Sequence, residues 1–370
     1  MGRSLKRKSR IFEALDRSEL DALILFNPPN IAYFSGLKLD YASILVSKEK
    51  IHAIVHVLEE ERAKEAQIVD EVHAYSSYPV EGEYLRVKSL EEAVKTVILQ
   101  LGLEESNIGF EGTFLPVKKY EALVKALPRA KFKDATKMIY ELRMIKDEEE
   151  IFMIKKACEA SIEGIMAALN AIKPDITEMD VAAEALRAMA KKGGIGDIHP
   201  IVASGNRSSL PHARASDKRI SDGDFVTIDL CPQYKGYYAD MTRTVVVGRA
   251  TPAQRRIYQA VLEAQTAAIE KIRPGVKCKE IDEMARRILR EHNYGKYFIH
   301  STGHGLGLEI HEPPRLAGNV EDELKEGMVV TIEPGVYIPG IGGVRIEDTV
   351  LVTGNGYKIL TKFAKELLEI

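Results

Sequence analysis

The sequence predicts an α/β domain followed by an α+β domain with an internal repeat. Short strand-like and helix-like segments alternate over roughly the first third of the chain. A long amphipathic helix opens the remainder, and two stretches of that remainder match each other. At 370 residues the chain has the length of about two domains and can bury a core without disulfides.

Taken in order, Met1–Arg10 (MGRSLKRKSR) lacks the apolar stretch of a secretory signal and reads as a solvated first helix turn. Gly2 is not expected to carry a myristoyl group, because Lys6 stands where Ser or Thr is needed. Ala22–Phe26, Ala42–Val46, Ile51–Val57 and Ile108–Glu111 are predicted strands, and Leu90–Leu101 and Pro116–Leu127 predicted helices. His52, His56 and His73 are scattered through this region, which is assigned packing or subunit contacts and no catalytic cluster. The first domain is placed at residues 1–137 and the second at 138–370.

In the second domain Asp147 has the character of an N-cap, and Glu148, Glu149 and Glu150 put negative charge in the first turn. Ile151, Ile154, Cys158, Ile162, Ile165, Leu169 and Ile172 then recur at three- and four-residue spacing, the apolar stripe of one helix. The repeat begins at its end. Ile172-Lys173-Pro174-Asp175-Ile176 matches Ile272-Arg273-Pro274-Gly275-Val276, with Pro as a breaker between helices. Gly223 to Asp229 (GDFVTID) matches Gly327 to Glu333 (GMVVTIE), and Asp240-Met241-Thr242 matches Glu347-Asp348-Thr349. Each half reads helix, helix, strand, strand, with one carboxylate ending a strand and another in the next.

Residues two apart on a strand share a face, so Thr227 goes with Asp229, Thr331 with Glu333 and Arg345 with Glu347. If the halves are related by a pseudo-twofold axis, Asp229, Asp240, Glu333 and Glu347 converge. As buried, unpaired acids they would raise one another's pKa severely. Two divalent cations neutralise them charge for charge, which points to a dinuclear metal site. His304, inside Gly303-His304-Gly305-Leu306-Gly307, is the natural fifth ligand. Four oxygens, one nitrogen and no thiolate make a hard site that favours Mn²⁺ and tolerates Co²⁺ or Fe²⁺, with Zn²⁺ less favoured. HExxH and the phosphate-loop patterns are absent.

Composition narrows the rest. Apolar residues at 45% and charged residues at 29% describe a soluble globular chain, and no run reaches the ~18 apolar residues of a membrane span. A net charge of -3 speaks against a nucleic-acid or membrane-surface partner. Cys158, Cys231 and Cys278 are odd in number and far apart, so neither a disulfide framework nor a thiolate zinc site is expected, and the cytoplasm is the expected location.

The segments Ile201–His212 (IVASGNRSSLPH), Asp229 to Thr244 (D…YYADMTRT), Gly303–Pro313 (GHGLGLEIHEP), Thr331–Gly335 (TIEPG) and Gly343–Asp348 (GVRIED) resemble the metal-dependent peptidases of the pita-bread fold. That family includes methionine aminopeptidase, aminopeptidase P and prolidase. The stretch Asn30–Gly36 (NIAYFSG) resembles the creatinase/prolidase N-terminal domain, and the likeness is to the short, archaeal-type Xaa-Pro dipeptidases. The resemblance implies that Asp229 and Asp240 hold one metal, that His304 and Glu333 help to hold the other, and that Asp240 and Glu347 bridge them. It implies a hydroxide between the ions as nucleophile, Glu333 as proton shuttle, and His212 and His311 as non-ligand histidines that stabilise the oxyanion and orient substrate. Arg345 matches a residue beside the bridging carboxylates, and Arg315 the carboxylate-binding arginine of prolidases. Arg315 follows Pro313-Pro314, expected to stiffen its loop. His199, His292 and His300 are read as structural, with the case of His300 open. Tyr237 and Tyr238 are read as packing, and Cys231, where the family commonly has Gly, as inert.

The activity so implied is hydrolysis of dipeptides with proline in second position, by a homodimer. The alternative is an aminopeptidase P acting on longer Xaa-Pro peptides. A non-catalytic binding module is disfavoured, because relatives of that kind have lost metal ligands that this chain keeps.

Overall fold

Runs of β-branched and aliphatic residues flanked by polar turns build the centre of the first unit. The computed structural model describes residues 3–196 and 200–370; Gly2 and His199 lie outside the described residues. The chain divides into compact units Met1–Arg143 and Met144–Ile370.

The first unit contains α1 (Arg3–Arg17), β1 (Ala22–Leu25), α2 (Pro28–Ser35), β2 (Ala42–Ser47), β3 (Ile51–His56), α3 (Glu60–Lys64), β4 (Glu71–Ser76), β5 (Leu85–Arg86), α4 (Leu90–Gln100), β6 (Asn107–Phe110), α5 (Val117–Ala126), β7 (Lys131–Asp134) and α6 (Thr136–Met144). The boundary expected after residue 137 falls inside α6. The strands form one sheet in the order β5-β4-β3-β2-β1-β6-β7. Its β1–β2 and β2–β3 pairs are antiparallel and the others parallel. The N-terminal residues, read as a first helix turn, open helix α1.

The Asn30–Gly36 motif has a local physical role. Asn27 precedes α2 without a side-chain cap. Buried Glu111 accepts instead from the backbone N–H of Phe26 at 2.6 Å and of Asn27 at 2.9 Å, and from Asn30 Nδ2 at 2.6 Å. A carboxylate at a helix N-terminus satisfies otherwise orphaned donors. Asn30 Oδ1 accepts in turn from Arg143 at 2.7 Å. Gly36 ends the helix at φ 78°, a left-handed position that suits glycine.

The second unit contains α7 (Glu148–Ala171), α8 (Glu178–Lys191), β8 (Ile195–Gly196), β9 (Ile201–Ser204), β10 (Phe225–Leu230), β11 (Pro232–Tyr234), β12 (Tyr237–Tyr238), β13 (Met241–Val246), α9 (Pro252–Glu270) and α10 (Cys278–Glu291). Then follow β14 (Gly303–Gly305), β15 (Glu312–Leu316), β16 (Val329–Ile332), β17 (Gly335–Ile338), β18 (Gly342–Arg345), β19 (Asp348–Thr353) and β20 (Gly356–Ile359). Helices α7 and α8 repeat as α9 and α10, and β10 and β13 repeat as β16 and β19. Asp147 and Glu150 form a capping box at α7, as do Thr251 and Gln254 at α9.

Each helix pair covers its own sheet. Ile165, Val181 and Met189 pack on Val202, Ile228 and Val245 in one core; Val261, Ile281 and Leu289 pack on Val330, Ile332 and Val350 in the other. Cys158 is buried in α7, as its place on the apolar stripe predicts. Among the described residues no helix is long and apolar enough to cross a membrane.

Candidate metal centre

The two halves deliver their carboxylates by the same device. β10 ends one residue after Asp229, and the chain makes the hairpin β11–β12 before Asp240, which immediately precedes β13. Lys235 and Gly236, at φ 49° and 88°, close that hairpin in two residues, the geometry that matches strand twist. In the other half β16 ends just before Glu333, the hairpin β17–β18 follows, and Glu347 precedes β19. Asp240, Glu333 and Glu347 therefore stand just outside the strands at the feet of the hairpins, while Asp229 is the next-to-last residue of β10 and still in its ladder.

The halves exchange hydrogen bonds there. Thr242 Oγ1 donates to Glu347 Oε2 at 2.6 Å, and Glu347 N–H donates to the Thr242 carbonyl at 3.1 Å. Thr349 Oγ1, the repeat partner of Thr242, donates to the Asp240 carbonyl at 2.7 Å. The repeat breaks at His304. β9 and β14 flank β10 and β16 equivalently, and the registers set His304 in the place of Ala203. Gly303 and Gly305 are needed on either side, because a Cβ on the first would run into the Thr331 carbonyl and on the second into that of Pro313.

Ligand atoms of Asp240, His304 and Glu347 lie within 4.8 Å of one another, and so do those of Asp229, Cys231 and Asp240. His304 Nε2 is 3.2 Å from Glu333 Oε1 and 3.7 Å from Asp240 Oδ2. The expectation of four unpaired acids needs correction, since two have partners. Arg345 Nη2 donates to Asp229 Oδ2 at 2.5 Å, and His304 faces Glu333. Burial alone would raise Glu333, but the hydrogen bond and charge of His304 hold it down at about 2. Burial alone would depress His304, yet Glu333 and then Asp240 hold it up at about 9. Burial and then the charge of Asp229 push Asp240 well above the usual carboxylate range. Burial and then the charge of Asp240 do the same to Glu347. Glu347 is 1% exposed, and its Oε1 has no hydrogen-bond partner.

A buried carboxylate oxygen without a donor is costly. Here it faces other carboxylates and one imidazole, a hard donor set. Divalent cations fit it: they would satisfy Glu347 Oε1 and offset the burial and mutual repulsion that push Asp240 and Glu347 above the usual carboxylate range.

Around this set lies a network not anticipated from the sequence. Arg345 is buried; its Nη1 donates to Tyr337 Oη at 2.8 Å and its Nε to Thr242 Oγ1 at 3.2 Å. Tyr337 Oη also meets His300 Nε2 at 2.9 Å. His300 thus belongs to a chain that ends on Asp229, and Tyr337 joins it through its alternate position on β17, a signal too weak to single out beforehand. Thr331 Oγ1 accepts from the His304 N–H at 3.1 Å and donates to Glu333 Oε1 at 3.3 Å. Cys231 Sγ lies 3.1 Å from Asp240 Oδ1 and 3.6 Å from Asp229 Oδ1; burial, then the charge of Asp240, keeps the thiol protonated.

His311 and His212 are exposed. The His311 ring stands edge-on to His304 with centroids 4.3 Å apart, and burial of its ring, then the charge of His304, lowers its pKa. Arg315 lies on strand β15 and not in a loop. It is the register partner of His304, so both side chains leave one face of the sheet. It is exposed and tethered by Nε to Ser301 Oγ at 3.2 Å. Tyr237 is buried, with its hydroxyl 3.1 Å from Glu150 Oε1, a packing role as expected.

Residues 153–354 match metallopeptidase family M24, and residues 7–145 match the creatinase/prolidase N-terminal domain. A Xaa-Pro dipeptidase of Pyrococcus horikoshii is 44% identical over 98% of this chain and 99% of its own length. The structure of a Xaa-Pro dipeptidase from Bacillus anthracis superposes with a TM-score of 0.90 at 36% identity, covering 99% of this chain and 100% of that one. That of an X-Pro aminopeptidase from Thermotoga maritima gives 0.88 at 31% identity, over 98% of this chain and 99% of that one.

Proposed function

Because the chain belongs to the M24 metallopeptidases and carries their creatinase/prolidase N-terminal domain, we propose that it hydrolyses Xaa-Pro dipeptides. The observation that carries this reading is the buried, unpartnered Glu347 oxygen among converging donors, in a chain so similar to Xaa-Pro dipeptidases. Asp229, Asp240, His304, Glu333 and Glu347 would hold two divalent ions, with Mn²⁺ favoured by the four oxygens and Co²⁺, Fe²⁺ or Zn²⁺ as alternatives. When bound, such ions supply charge compensation, Lewis acidity toward the scissile carbonyl and a water acidic enough to attack near neutral pH.

The protein groups divide the remaining work. Glu333 accepts the proton of the attacking water and passes it to the leaving prolyl nitrogen. Arg345 fixes the Asp229 carboxylate, and Tyr337 and His300 fix Arg345. His311, neutral at pH 7, and His212 orient the substrate carbonyl and donate to the oxygen as charge develops on it. A proline nitrogen has no N–H and a fixed φ, so a site for it is shaped around that ring. The reading includes a homodimer, from the family resemblance, and a cytoplasmic location, in keeping with three unpaired cysteines.

Arg315 separates a dipeptidase from an aminopeptidase P, the second reading, which the likeness to the Thermotoga maritima enzyme favours. A dipeptide presents its free carboxylate directly after the scissile bond's leaving residue, within the province of a cation beside His304. Arg315 is exposed, so the loss of its charge-assisted hydrogen bond is about 1.5–3 kcal/mol, or roughly 10- to 160-fold in kcat/KM. Arg315→Ala should weaken Ala-Pro cleavage by that factor and leave Ala-Pro-NH₂ at its own low rate. Equal loss on both substrates would remove Arg315 from this role, and efficient wild-type cleavage of Xaa-Pro tripeptides would favour the aminopeptidase.

A further inference from the structure

Two of the three histidines expected to be scattered through the first unit are brought together. β3 and β4 run parallel with His52 opposite Glu71 and Ile54 opposite His73. Glu71 and His73, two apart on β4, share a face, and His52 meets them there. His52 Nδ1 lies 3.1 Å from His73 Nε2 and 3.3 Å from Glu71 Oε2, and His73 Nε2 lies 3.7 Å from that same oxygen. Three donor atoms thus form a nearly equilateral triangle. Zinc–nitrogen and zinc–oxygen bonds of about 2.0–2.2 Å in a tetrahedral site set the donors roughly 3.3–3.6 Å apart, which is the size of this triangle.

Hydrogen bonding within the cluster does not account for the arrangement. His52 Nδ1 is the vertex of both short contacts and carries at most one proton, so one of them lacks a hydrogen of its own. A cation at the centre satisfies all three atoms. The other oxygen of Glu71 accepts from Lys50 Nζ at 2.5 Å, which orients the carboxylate with Oε2 toward the imidazoles. The His52 side chain is 1% exposed, while those of His73 and Glu71 are 22% and 38% exposed. One ligand is therefore walled in by the sheet, and the other two border solvent, from which an ion and a water as fourth ligand can enter.

We propose that His52, Glu71 and His73 form a metal site of their own, which takes a borderline divalent ion, Zn²⁺ foremost, and ties β3 to β4. Its donors are two nitrogens and one oxygen, against four oxygens and one nitrogen at the carboxylate centre. The two sites therefore rank ions differently, and a harder ion such as Mn²⁺ prefers the carboxylates.

The test uses full-length wild type and the His73→Asn and Glu71→Gln variants, both at half-exposed positions. Each is dialysed against the same buffered Zn²⁺ and its bound zinc counted by emission spectrometry. Far-ultraviolet circular dichroism checks the fold. Wild type is expected to hold one zinc ion more per chain than either variant. A Co²⁺ difference spectrum, wild type minus His73→Asn, should show the intense visible bands of a four-coordinate ion. Equal zinc counts in wild type and both folded variants would overturn the proposal, as would a Co²⁺ difference spectrum without those bands. Should one variant fail to fold, the other decides.

Discussion

Glu347→Gln exchanges a buried carboxylate for a neutral amide of nearly the same shape. In the metal-free protein Glu347 Oε1 has no partner, and burial and the charges of Asp240 and Glu333 act against ionisation. An unsatisfied buried group costs about 1–3 kcal/mol, and more where it is charged. The amide keeps an oxygen for Thr242, which donates to Glu347 Oε2 at 2.6 Å, and removes the repulsion. Metal-free Glu347→Gln should therefore be more stable than metal-free wild type. For a unit the size of Met144–Ile370 the gain corresponds to a Tm higher by roughly 2–12 °C. The metal-loaded protein should respond the other way, because a ligand charge is gone. Loss of groups behind a metal ligand typically weakens binding by about 10–100-fold, a lower bound for a ligand itself. Differential scanning calorimetry with chelator and across a Mn²⁺ titration reads both effects. A lower metal-free Tm in Glu347→Gln, or a metal-induced shift as large as that of wild type, would refute the assignment of Glu347 to the metals.

The pH dependence of the chelated protein has a definite sign: His304, held at about 9, contributes stability that is complete below 6.5 and lost as pH climbs through 9. Asp240 and Glu347, also raised, act in the same direction, whereas Glu333, held at about 2, contributes stability that is complete above 4.5 and lost as pH falls from there through 2. The Tm of chelated protein should fall as pH climbs from 6.5 through 9 and that of Mn²⁺-loaded protein should not; a flat metal-free profile would contradict the charge arrangement. Glu333→Gln should keep the fold yet lose roughly 10²–10⁴-fold in kcat, and near-wild-type turnover would assign the proton transfer elsewhere. Arg243→Met removes one partner of a buried pair, Arg243 Nη2 with Asp348 Oδ1 at 2.9 Å, and should cost about 3–5 kcal/mol, or roughly 6–20 °C in Tm. A loss below about 1 kcal/mol would mean that Lys365, which also reaches Asp348, compensates alone.

The sequence by itself determined what is repeated and local. The matches GDFVTID with GMVVTIE and DMT with EDT named the four carboxylates before any geometry, because a duplicated strand pattern must place its acids equivalently. The three- and four-residue spacing of Ile154, Cys158 and Ile165 gave α7 and its buried face, and the strands at Ala22, Ala42, Ile51 and Ile108 lie within a residue or two of expectation. Only the tertiary structure decided which charges have partners. That Asp229 pairs with Arg345 and Glu333 with His304 depends on side chains far apart in sequence meeting at hairpin feet, and no periodicity encodes such contacts. The same holds for the chain from His300 through Tyr337 to Arg345, and for His52, Glu71 and His73. His52 stands far from Glu71 and His73 along the chain and close to them in space because parallel pairing of β3 with β4 sets a register that their own spacing does not state.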